Sequence, residues 1–541
     1  MKLSRRDALK LGGLGAVGAA GFALPFGRSA SGGTPSLLAS RNFPKVYAAA
    51  FRRLEVQAPT STGFDPDGKP YANYDIWAKP GLANIVPGLQ TPVLGYGGVV
   101  PAKRIDVEQG TRIQMTMHNR LPATNPNFGT PLSISTHLHG SASLPQYDGY
   151  ADDLCNPMQK KVYQYPNFQG ARTLWYHDHG VHYTAQNAYA GLASQYHLHD
   201  PIERALLPQG EYDVALTVSD MMFKANGSQL YDDRSHSGLW GDVILVNGAP
   251  WPVMKVKKRI YRFRLLNASL SRSYKFALST GAPVYMVATD GGLMPKSQAV
   301  TSWRHGSAER YEFLIDFRNY AVGQRIELKN GSNINNRDYD FTHKVMAFDV
   351  VADPFDKSDP TWSTIPGDIN PGNEVMKLTP KSDMKVRNIK VKRDDVTNEW
   401  NLNGESWHDV VDSGYKKVLA NPELGATEIW DIENSSGGWF HPVHIHLIDF
   451  KILSRNGRAP FAYEQGPKDV AYVGENETVR VIMKFGPHRG KYMVHCHNLP
   501  HEDHDMMHQF SVGLKDTDVD DNDPIYADPA VWDDDSSNGP N

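Results

Sequence analysis

The 541-residue chain has an ordinary globular composition and little net charge. Hydrophobic residues make up 40% and charged residues 21% of the sequence, and the net charge is -4, so nothing indicates a nucleic-acid partner. The length exceeds the capacity of one hydrophobic core and predicts several domains. Cys155 and Cys496 are the two cysteines, so at most one disulfide could form and disulfides cannot hold the fold.

The amino-terminal 30 residues are typical of an export signal. Arg5 and Arg6 precede an apolar, glycine- and alanine-rich run over residues 11–24, which is too short for a membrane span. A twin-arginine signal over residues 1–30 is therefore predicted, with export of the folded protein to the periplasm or the medium. A cytoplasmic amphipathic start is disfavoured because the run has no polar face. No later stretch is apolar enough to anchor the chain in a membrane.

Beyond this segment, short runs rich in β-branched and aromatic residues predict strands. Examples are residues 261–269 (YRFRLLNAS), 309–317 (ERYEFLIDF) and 478–485 (TVRVIMKF), and turn residues separate such runs at 107–114 and 410–417. The 47 glycines and 36 prolines fit many tight turns. An all-β fold of sandwiches or Greek-key barrels is predicted.

Composition also predicts the domain limits. Segments at 200–213 and 352–374 have the polar, proline-containing character of linkers. The predicted units are a first domain (45–205), a second domain (206–355), a linker (356–389), a third domain (390–515) and an acidic, solvated tail (516–541).

Four histidine pairs share an i, i+2 spacing, which on a strand points both side chains to one face. The pairs are His137 and His139, His177 and His179, His444 and His446, and His495 and His497. Eight imidazoles without a carboxylate can hold several metal ions close together. Because the pairs come equally from the first and last thirds of the chain, the cluster is expected between the first and third domains.

A second, smaller set is predicted from the opposite strand face. Cys496 lies between His495 and His497, and His441 is three residues before His444, so both point away from the eight-histidine cluster. His501 and Met506 follow closely in sequence. Two imidazoles, a thiolate and a thioether are the ligands of a blue-copper electron-transfer centre, whereas structural zinc favours closed sets of cysteines and histidines.

Four motifs carry a resemblance to a known family. The sequences HLHG (137–140), WYHDH (175–179), HPVHIH (441–446) and HCHNLPHEDHDM (495–506) stand in the order found in multicopper oxidases. The chain resembles this family, and within it the bilirubin oxidases, from about residue 80 to 515. Segments without metal ligands, such as GDVILVNGAPWP (241–252), match as well.

The resemblance implies a fold, a cofactor set and ligands. The fold would be three cupredoxin-like domains holding four copper ions. His441, Cys496, His501 and Met506 would bind the type 1 (blue) copper, and His137 and His444 the type 2 copper. The type 3 pair would be held by the remaining six histidines, which are His139, His177, His179, His446, His495 and His497. Cys496 would connect the two sites through covalent bonds.

The implied activity is one-electron oxidation of electron-rich aromatics coupled to four-electron reduction of dioxygen to water. Bilirubin or other tetrapyrroles, phenols and aromatic amines are the expected donors, and a monomer is expected. One alternative is an oxidase of cuprous or manganous ions, although the 16 methionines are scattered rather than massed. Another is a copper-binding or electron-carrying cupredoxin without turnover, which would not need the four histidine pairs.

Three further residues are site candidates by motif position. Glu502 follows His501, and Asp148 lies nine residues after His139; acidic residues at the matching positions serve proton delivery in related oxidases, and burial would raise their pKa. Trp439 precedes His441 by two residues and matches a tryptophan of bilirubin oxidases, so it is a candidate for shaping donor approach. The alternatives are that the carboxylates only orient ligands and that the ring only packs.

Other residues near these motifs are given ordinary roles. His197 and His199 have the ligand-pair spacing, but the family has no ligands there, and surface or edge-strand histidines are predicted. His182, His504 and His508 are expected to be solvated, and Cys155 to be a buried, inert thiol. Pro500 departs from the family pattern immediately before His501 and lacks a backbone donor, so the type 1 potential cannot be carried over from relatives.

Overall fold

The computed structural model describes residues 36–331, 333–353, 364–515, 518–535 and 539. The predicted export signal over residues 1–30 lies outside the described residues. Strands dominate the described chain and its helices are short, so the predicted all-β class is confirmed. None of the described helices combines the length and the hydropathy needed to cross a bilayer.

The first pair of sheets is built from the amino-terminal third of the described chain. One sheet has the order β1-β2-β5-β7 with β3 on β2, and the other has the order β4-β9-β8-β6. The strands are β1 (Ser61–Phe64), β2 (Pro70–Ala83), β3 (Thr91–Tyr96), β4 (Ile105–Glu108), β5 (Arg112–Asn119), β6 (Thr136–His139), β7 (Gln159–Tyr165), β8 (Arg172–Asp178) and β9 (Ala193–His199).

The second pair of sheets follows in the chain. Its orders are β12-β11-β10-β14-β19-β16-β17 and β13-β21-β20-β15-β18. The strands are β10 (Asp213–Met221), β11 (Val243–Val246), β12 (Ala249–Pro250), β13 (Val253–Lys257), β14 (Ile260–Asn267), β15 (Tyr274–Leu278), β16 (Val284–Thr289), β17 (Gly292–Val300), β18 (Trp303–His305), β19 (Arg310–Asp316), β20 (Arg325–Gly331) and β21 (Lys344–Val351).

The third pair of sheets has the orders β23-β22-β24-β28-β26 and β27-β25-β29-β30. The strands are β22 (Val386–Arg393), β23 (Trp400–Leu402), β24 (Thr427–Asn434), β25 (His441–Ile445), β26 (Phe450–Arg455), β27 (Val470–Val473), β28 (Thr478–Lys484), β29 (Gly490–Cys496) and β30 (Met507–Val512). The strands change sheet pair between His199 and Asp213 and between Val351 and Val386. The predicted domain limits stay predictions.

Short helices occupy the connections between strands. The α-helices are α1 (Thr184–Ala190), α2 (Pro201–Leu206), α3 (Trp407–Asp412) and α4 (Leu499–Asp503), and the 3-10 turns are Pro145–Tyr147, Gly210–Tyr212, Phe317–Asn319 and Ala462–Glu464. The predicted turn at 410–417 lies at the end of α3 rather than between two strands. Pro500 is in the first turn of α4, where a backbone N–H would have no helical partner, so it costs the helix no hydrogen bond.

The strands follow from two residue patterns. In β2 the buried and less buried residues alternate, as a sheet with one face toward the core requires. In β14, which reads IYRFRLLN, every residue is buried. Acidic partners neutralise its two arginines: Nη2 of Arg264 lies 3.0 Å from Oε1 of Glu203 in the connecting helix α2, and Nε of Arg262 lies 2.8 Å from Oε2 of Glu312 in the neighbouring strand β19.

The prediction of a solvated acidic tail is wrong in part, because one segment of the tail packs on the first pair of sheets. A last strand, β31 (Val531–Trp532), pairs antiparallel with β7. The next residue, Asp533, is 2% exposed, and its Oδ2 accepts hydrogen bonds from Nδ1 of His118 (2.6 Å) and Nη2 of Arg120 (2.5 Å). The charged tail residue that binds these two donors is therefore buried rather than free in solvent.

Candidate metal centres

The smaller predicted set converges within the third pair of sheets. His441 begins β25 and Cys496 ends β29, and these strands are antiparallel neighbours. His501 lies in α4, directly after the strand. Nδ1 of His441 is 3.3 Å from Sγ of Cys496, Nδ1 of His501 is 3.8 Å from the same sulfur, and the two Nδ1 atoms are 3.3 Å apart. All three side chains are fully buried.

Contacts behind the two imidazoles fix which nitrogen faces the sulfur. Nε2 of His441 is 2.8 Å from Oγ of Ser436, and Nε2 of His501 is 3.2 Å from the carbonyl oxygen of Ser237. When each Nε2 donates its proton outward, each Nδ1 presents a lone pair inward. Burial raises the pKa of the Cys496 thiol and lowers that of His441 to about 3. A soft thiolate and two neutral imidazoles result when a cation binds.

Met506 lies in the same turn as this set. It is fully buried, its carbonyl oxygen accepts from the backbone N–H of Cys496 (3.0 Å), and its own N–H donates to the carbonyl of His501 (2.9 Å). The backbone therefore ties the methionine to two members of the set. The location agrees with the role that the resemblance implies for its thioether.

The larger predicted set lies where the first and third pairs of sheets meet. Strands β6 and β8 place His137 opposite His177, while β25 and β29 place His444 opposite His495. Across the boundary, Nε2 of His137 is 3.4 Å from Nε2 of His444. Nε2 of His495 is 3.2 Å from Nε2 of His179 and 3.2 Å from Nε2 of His446. The histidines of the first and third pairs of sheets therefore meet at one place.

Three more histidines of the set lie close together and have ring nitrogens without hydrogen-bond partners among the described residues. The ring of His497 is centred 5.3 Å from that of His139 and 5.2 Å from that of His177. Within the described residues, Nδ1 of His139, Nε2 of His177 and both nitrogens of His497 have no hydrogen-bond partner, although all are buried. Unpaired buried polar atoms are costly. Their convergence fits metal coordination.

Burial keeps seven imidazoles of the larger set neutral. Burial and the neighbouring histidines together lower the pKa of His177 to about 3 and that of His179 to about 4. The same two causes lower the pKa of five more members, His137, His139, His444, His446 and His497. Neutral imidazole is the form that binds a metal ion.

Asp469, which the sequence did not single out, orients two of these histidines. Its backbone carbonyl accepts from Nδ1 of His444 (2.8 Å), and its Oδ1 lies 3.1 Å from Nε2 of His139. The carboxylate is held by Arg310 of β19, with Nη1 2.7 Å from Oδ1 and Nη2 2.5 Å from Oδ2. The second pair of sheets thus fixes histidines that it does not itself provide. No sequence motif marks either residue.

Asp148 is buried against the larger set. Its Oδ2 lies 2.7 Å from Nδ1 of His446, and its carbonyl oxygen accepts from Nδ1 of His137. The next residue, Gly149, has φ +77, and a Cβ there would lie 2.6 Å from the backbone of His137. The chain therefore passes the ligand strand at a distance that only glycine allows. Burial raises the pKa of the Asp148 carboxyl well above its usual value, as expected.

Glu502 is also buried beside the larger set. Its Oε2 lies 2.8 Å from Nδ1 of His495, and its Oε1 lies 3.6 Å from Nε2 of His179. Burial raises the pKa of this carboxyl, but the neighbouring His495 and His179 outweigh burial and hold it at about 2. The expectation of a raised pKa is therefore wrong for Glu502, because the attraction of the imidazoles exceeds the desolvation.

Trp439 belongs to a group of indoles around His501. The Trp439 ring is half-buried and stands edge-on to the His501 ring, with centroids 5.8 Å apart. Trp400, which the sequence did not single out, stacks on His501 at 3.8 Å, and Trp240 stacks near Trp439 at 6.5 Å. The smaller site is therefore bordered by aromatic rings from the second and third pairs of sheets.

The fifth histidine pair does not join either site. His197 and His199 are buried in β9, which lies between β4 and β8, so the prediction of surface or edge-strand residues is wrong. Nε2 of His197 is 2.8 Å from Oε1 of Gln195, and Nδ1 of His199 is 3.2 Å from Oε2 of Glu203. Local polar partners explain why two histidines are accommodated in this core.

The other singled-out residues have mixed outcomes. His182 is exposed, as predicted. His504 is only 28% exposed at its side chain and stacks on His236 at 3.5 Å. The prediction of a solvated side chain is wrong for His508, which is fully buried with Nε2 3.0 Å from Oε2 of Glu405. Cys155 is a buried free thiol whose pKa burial raises to about 12, as predicted.

Comparisons with known proteins give the family. Two multicopper oxidase domain families match residues 79–202 and 378–516. The bilirubin oxidase of Albifimbria verrucaria is 40% identical over 476 residues, which cover 84% of this chain and 79% of that protein. The chain belongs to the multicopper oxidases. A laccase of Bacillus subtilis is 31% identical over 78% of this chain and 90% of its own length.

Solved multicopper oxidases share the fold. One from the hyperthermophile Aquifex aeolicus has a TM-score of 0.73 at 28% identity and covers 86% of this chain and 100% of that chain. One from Pediococcus acidilactici has a TM-score of 0.76 at 25% identity, covering 91% and 96%. The three pairs of sheets are therefore cupredoxin-like. As a multicopper oxidase, the protein is an oxidoreductase that uses copper, a small-molecule reductant and dioxygen.

Proposed function

We propose that this multicopper oxidase holds four copper ions and oxidises electron-rich aromatic molecules while reducing dioxygen to water. The observation that carries the proposal is the direct succession of His495, Cys496 and His497 on one strand. Cys496 points into the smaller site, while its two chain neighbours belong to the larger one. A simple electron carrier needs only the smaller site, and this connection supports turnover at two coupled centres.

The ligand assignment follows the two groups of side chains. His441, Cys496, His501 and Met506 would hold type 1 copper, and His137 and His444 type 2 copper. The type 3 pair would be held by His139, His177 and His497 on one side and His179, His446 and His495 on the other. Bound copper would supply the one-electron oxidation of the donor and the four-electron reduction of dioxygen.

A ring near His501 supports an aromatic donor. Trp400, which stacks on the His501 ring, is fully buried, whereas Trp439, which stands edge-on to it, is half-buried and can be reached by a donor. Aromatic molecules pack on such rings in offset or edge-to-face contacts. Bilirubin and other tetrapyrroles, phenols and aromatic amines fit this description better than hydrated cuprous or manganous ions. Trp439 is proposed to shape the approach of the donor.

Two buried carboxylates support proton delivery to the larger site. Reduction of dioxygen to water consumes protons, and the histidines cannot supply them once their nitrogens are committed. Asp148 lies 2.7 Å from His446 and Glu502 lies 2.8 Å from His495. We assign both to proton delivery, since each carboxylate lies within hydrogen-bonding distance of the histidines. The raised pKa of Asp148 lets it hold a proton, whereas Glu502, whose pKa is low, passes a proton on.

Oxygen uptake on one preparation tests the proposal. We expect four coppers per chain and fast uptake with bilirubin and ABTS, at four electrons for each dioxygen. Cu(I) and Mn(II) are expected to give at least about tenfold lower kcat/KM, a difference in activation free energy of about 1.4 kcal/mol. Faster uptake with either ion would establish the metal-oxidase alternative. Blue colour without oxygen consumption would establish the electron carrier.

The cellular location is proposed from the sequence alone. Arg5 and Arg6 precede an apolar run, which is typical of export in the folded state. We propose a periplasmic or secreted monomer. Replacing both arginines with lysine should retain a longer precursor in the cytoplasm, and the mass of the exported wild-type protein would locate the cleavage site.

A further inference from the structure

The end of the chain forms a strap across the first and third pairs of sheets. The strap comprises residues 518–535, after the last strand of the third pair. Its far end is fixed to the first pair, because Val531 and Trp532 pair with β7 and the buried Asp533 binds His118 and Arg120. Nζ of Lys161 in β7 also donates to the carbonyl oxygen of Asp528 (2.8 Å).

The middle of the strap contacts the turn that carries Asp148. Oη of Tyr147 donates to Oδ2 of Asp528 at 2.6 Å, and Nε2 of Gln146 donates to Oδ1 of Asn522 at 3.1 Å. Both donors belong to the 3-10 turn Pro145–Tyr147, and Asp148 caps that turn. One peptide bond therefore separates the strap contact from a carboxylate that touches His446 and His137.

The same strap contacts the strand that carries Cys496. Oδ2 of Asp523 lies 3.2 Å from Nζ of Lys491 in β29. Ile525 packs against a buried cluster that includes Tyr150, Met493 and Met507. Tyr150 is two residues after Asp148, and Met507 follows Met506. The strap therefore touches the backbone neighbours of both candidate copper sites, on the two sheet pairs that supply all their ligands.

We infer that Asp528 is a positioning residue for the larger copper site, acting through Tyr147 on Asp148. The Tyr147 side chain is buried and Asp528 is exposed. The Asp528 carboxylate accepts a hydrogen bond from the Tyr147 hydroxyl. This contact fixes the turn and with it the direction of the Asp148 carboxylate toward His446. The inference rests on the proposed copper assignment. It adds a function to a segment with no metal ligand.

The test compares Tyr147→Phe and Asp528→Asn with wild type in the full-length, copper-loaded protein. Tyr526→Phe is the matched control, because Tyr526 is in the same strap but 76% exposed. Hydrogen exchange of residues 145–150 should accelerate in both test variants and stay unchanged in the control. The type 2 copper EPR signal should shift in both, and the blue absorption should not.

The kinetic arm separates positioning from general stability. At equal copper content, both test variants should reoxidise about threefold to tenfold more slowly than wild type. This loss is smaller than the roughly tenfold to hundredfold loss expected when a residue that directly contacts a metal ligand is removed. Anaerobic reduction of the blue site should stay at the wild-type rate. The double variant should be no slower than the slower single variant, because both remove one contact.

Several results would overturn the inference. The first is unchanged hydrogen exchange and an unchanged EPR signal in both test variants. The second is an equally slow reoxidation in Tyr526→Phe. The third is a double variant whose reoxidation slows by the product of the two single-variant factors. If wild-type protein fails to bind four coppers or to consume oxygen, the proposed function fails instead. The hydrogen-exchange comparison still decides whether the Tyr147–Asp528 contact holds the turn, so the two failures are distinguishable.

Discussion

The two candidate copper sites differ in how far apart their ligands lie in the chain. The smaller site takes all its residues from 441–506, within one pair of sheets and the helix that follows β29. The larger site takes four histidines from residues 137–179 and four from residues 444–497. The first can form when one domain folds, whereas the second requires two domains to dock.

This difference changes what stabilises each site. The smaller site is fixed by a local contact, Ser436 to His441, and by one contact from the second pair of sheets, the carbonyl of Ser237 to His501. The larger site depends on partners from other sheet pairs, including Arg310, which holds Asp469 against His139 and His444. A change at a domain boundary should therefore affect the larger site first. A change in strand β29 should affect both sites, since that strand carries ligands for each.

Cys496→Ser should have the largest effect on the comparison. Loss of the thiolate should abolish the intense blue absorption and reduce oxidase activity to the assay background. The larger site should still bind copper, because its ligands point to the opposite face of β29. Copper content and EPR of the purified variant check both statements. Retained blue colour would show that the smaller site is assigned wrongly.

Removing copper should make the free energy of unfolding depend on pH, because most of the buried histidines belong to the larger site. Seven histidines of the larger site and two of the smaller have pKa values lowered by burial. Each then binds fewer protons when folded than when unfolded. Their contribution is fully present above about pH 6.5 and is lost as pH falls toward the folded-state pKa values, about 3 for His177 and about 4 for His179. The loss approaches about 1.4 kcal/mol per pH unit for each histidine.

Urea unfolding of protein stripped of copper, measured between about pH 8 and pH 5, checks this expectation. The free energy of unfolding should fall steeply below about pH 6.5 and change little above it. Copper-loaded protein is the control and should show a flatter profile while metal remains bound. An equal slope on both sides of that pH would contradict the assignment of neutral, buried imidazoles.

Glu502→Gln should separate the two sites kinetically. Without a proton carrier beside His495 and His179, reoxidation of the reduced enzyme by dioxygen should slow by about a hundredfold. Reduction of the blue site by donor should stay near the wild-type rate. Stopped-flow absorbance at matched copper content measures each half-reaction. Glu405→Gln, which changes a carboxylate bound to His508, is the control. A defect confined to blue-site reduction would remove Glu502 from proton delivery.

Trp439→Ala should have the smallest effect and is confined to the smaller site. If the ring shapes donor approach, kcat/KM for bilirubin and for ABTS should change by factors that differ about fivefold, the effect of about 1 kcal/mol of aromatic contact. Copper content and thermal midpoint must be compared in parallel, since Trp439 also packs against Trp400. Equal factors for both donors would leave packing as its only role.

Local patterns predicted the all-β fold and the two groups of histidines that converge in it. Strand alternation separates Cys496 from His495 and His497 without knowledge of the tertiary structure. Contacts across domain boundaries had no such signal. Arg310 meets Asp469 across 159 residues, and neither belongs to a motif. Trp400 lies 101 positions before His501, so its stacking on that ligand likewise could not be read from spacing.

Errors arose where composition was used in place of packing. The acidic tail was predicted to be solvated from its charge, yet His118 and Arg120 provide buried partners for Asp533. His197 and His199 were predicted on the surface or an edge strand because the family has no ligands there, yet Gln195 and Glu203 are their partners in the core. A polar residue can be buried wherever a distant partner exists, and a single sequence does not reveal that partner.

The position of β31 has a consequence for protein synthesis. In the finished protein it pairs with Gln159 and Lys160 on the outer edge of β7, but it is translated more than 350 residues after that strand. While the ribosome makes the second and third domains, β7 presents an unpaired row of backbone donors and acceptors, the kind of edge that recruits strands from other chains. Gln159 and Lys160 therefore stay without this partner until β31 is translated, and slower translation should lengthen that period.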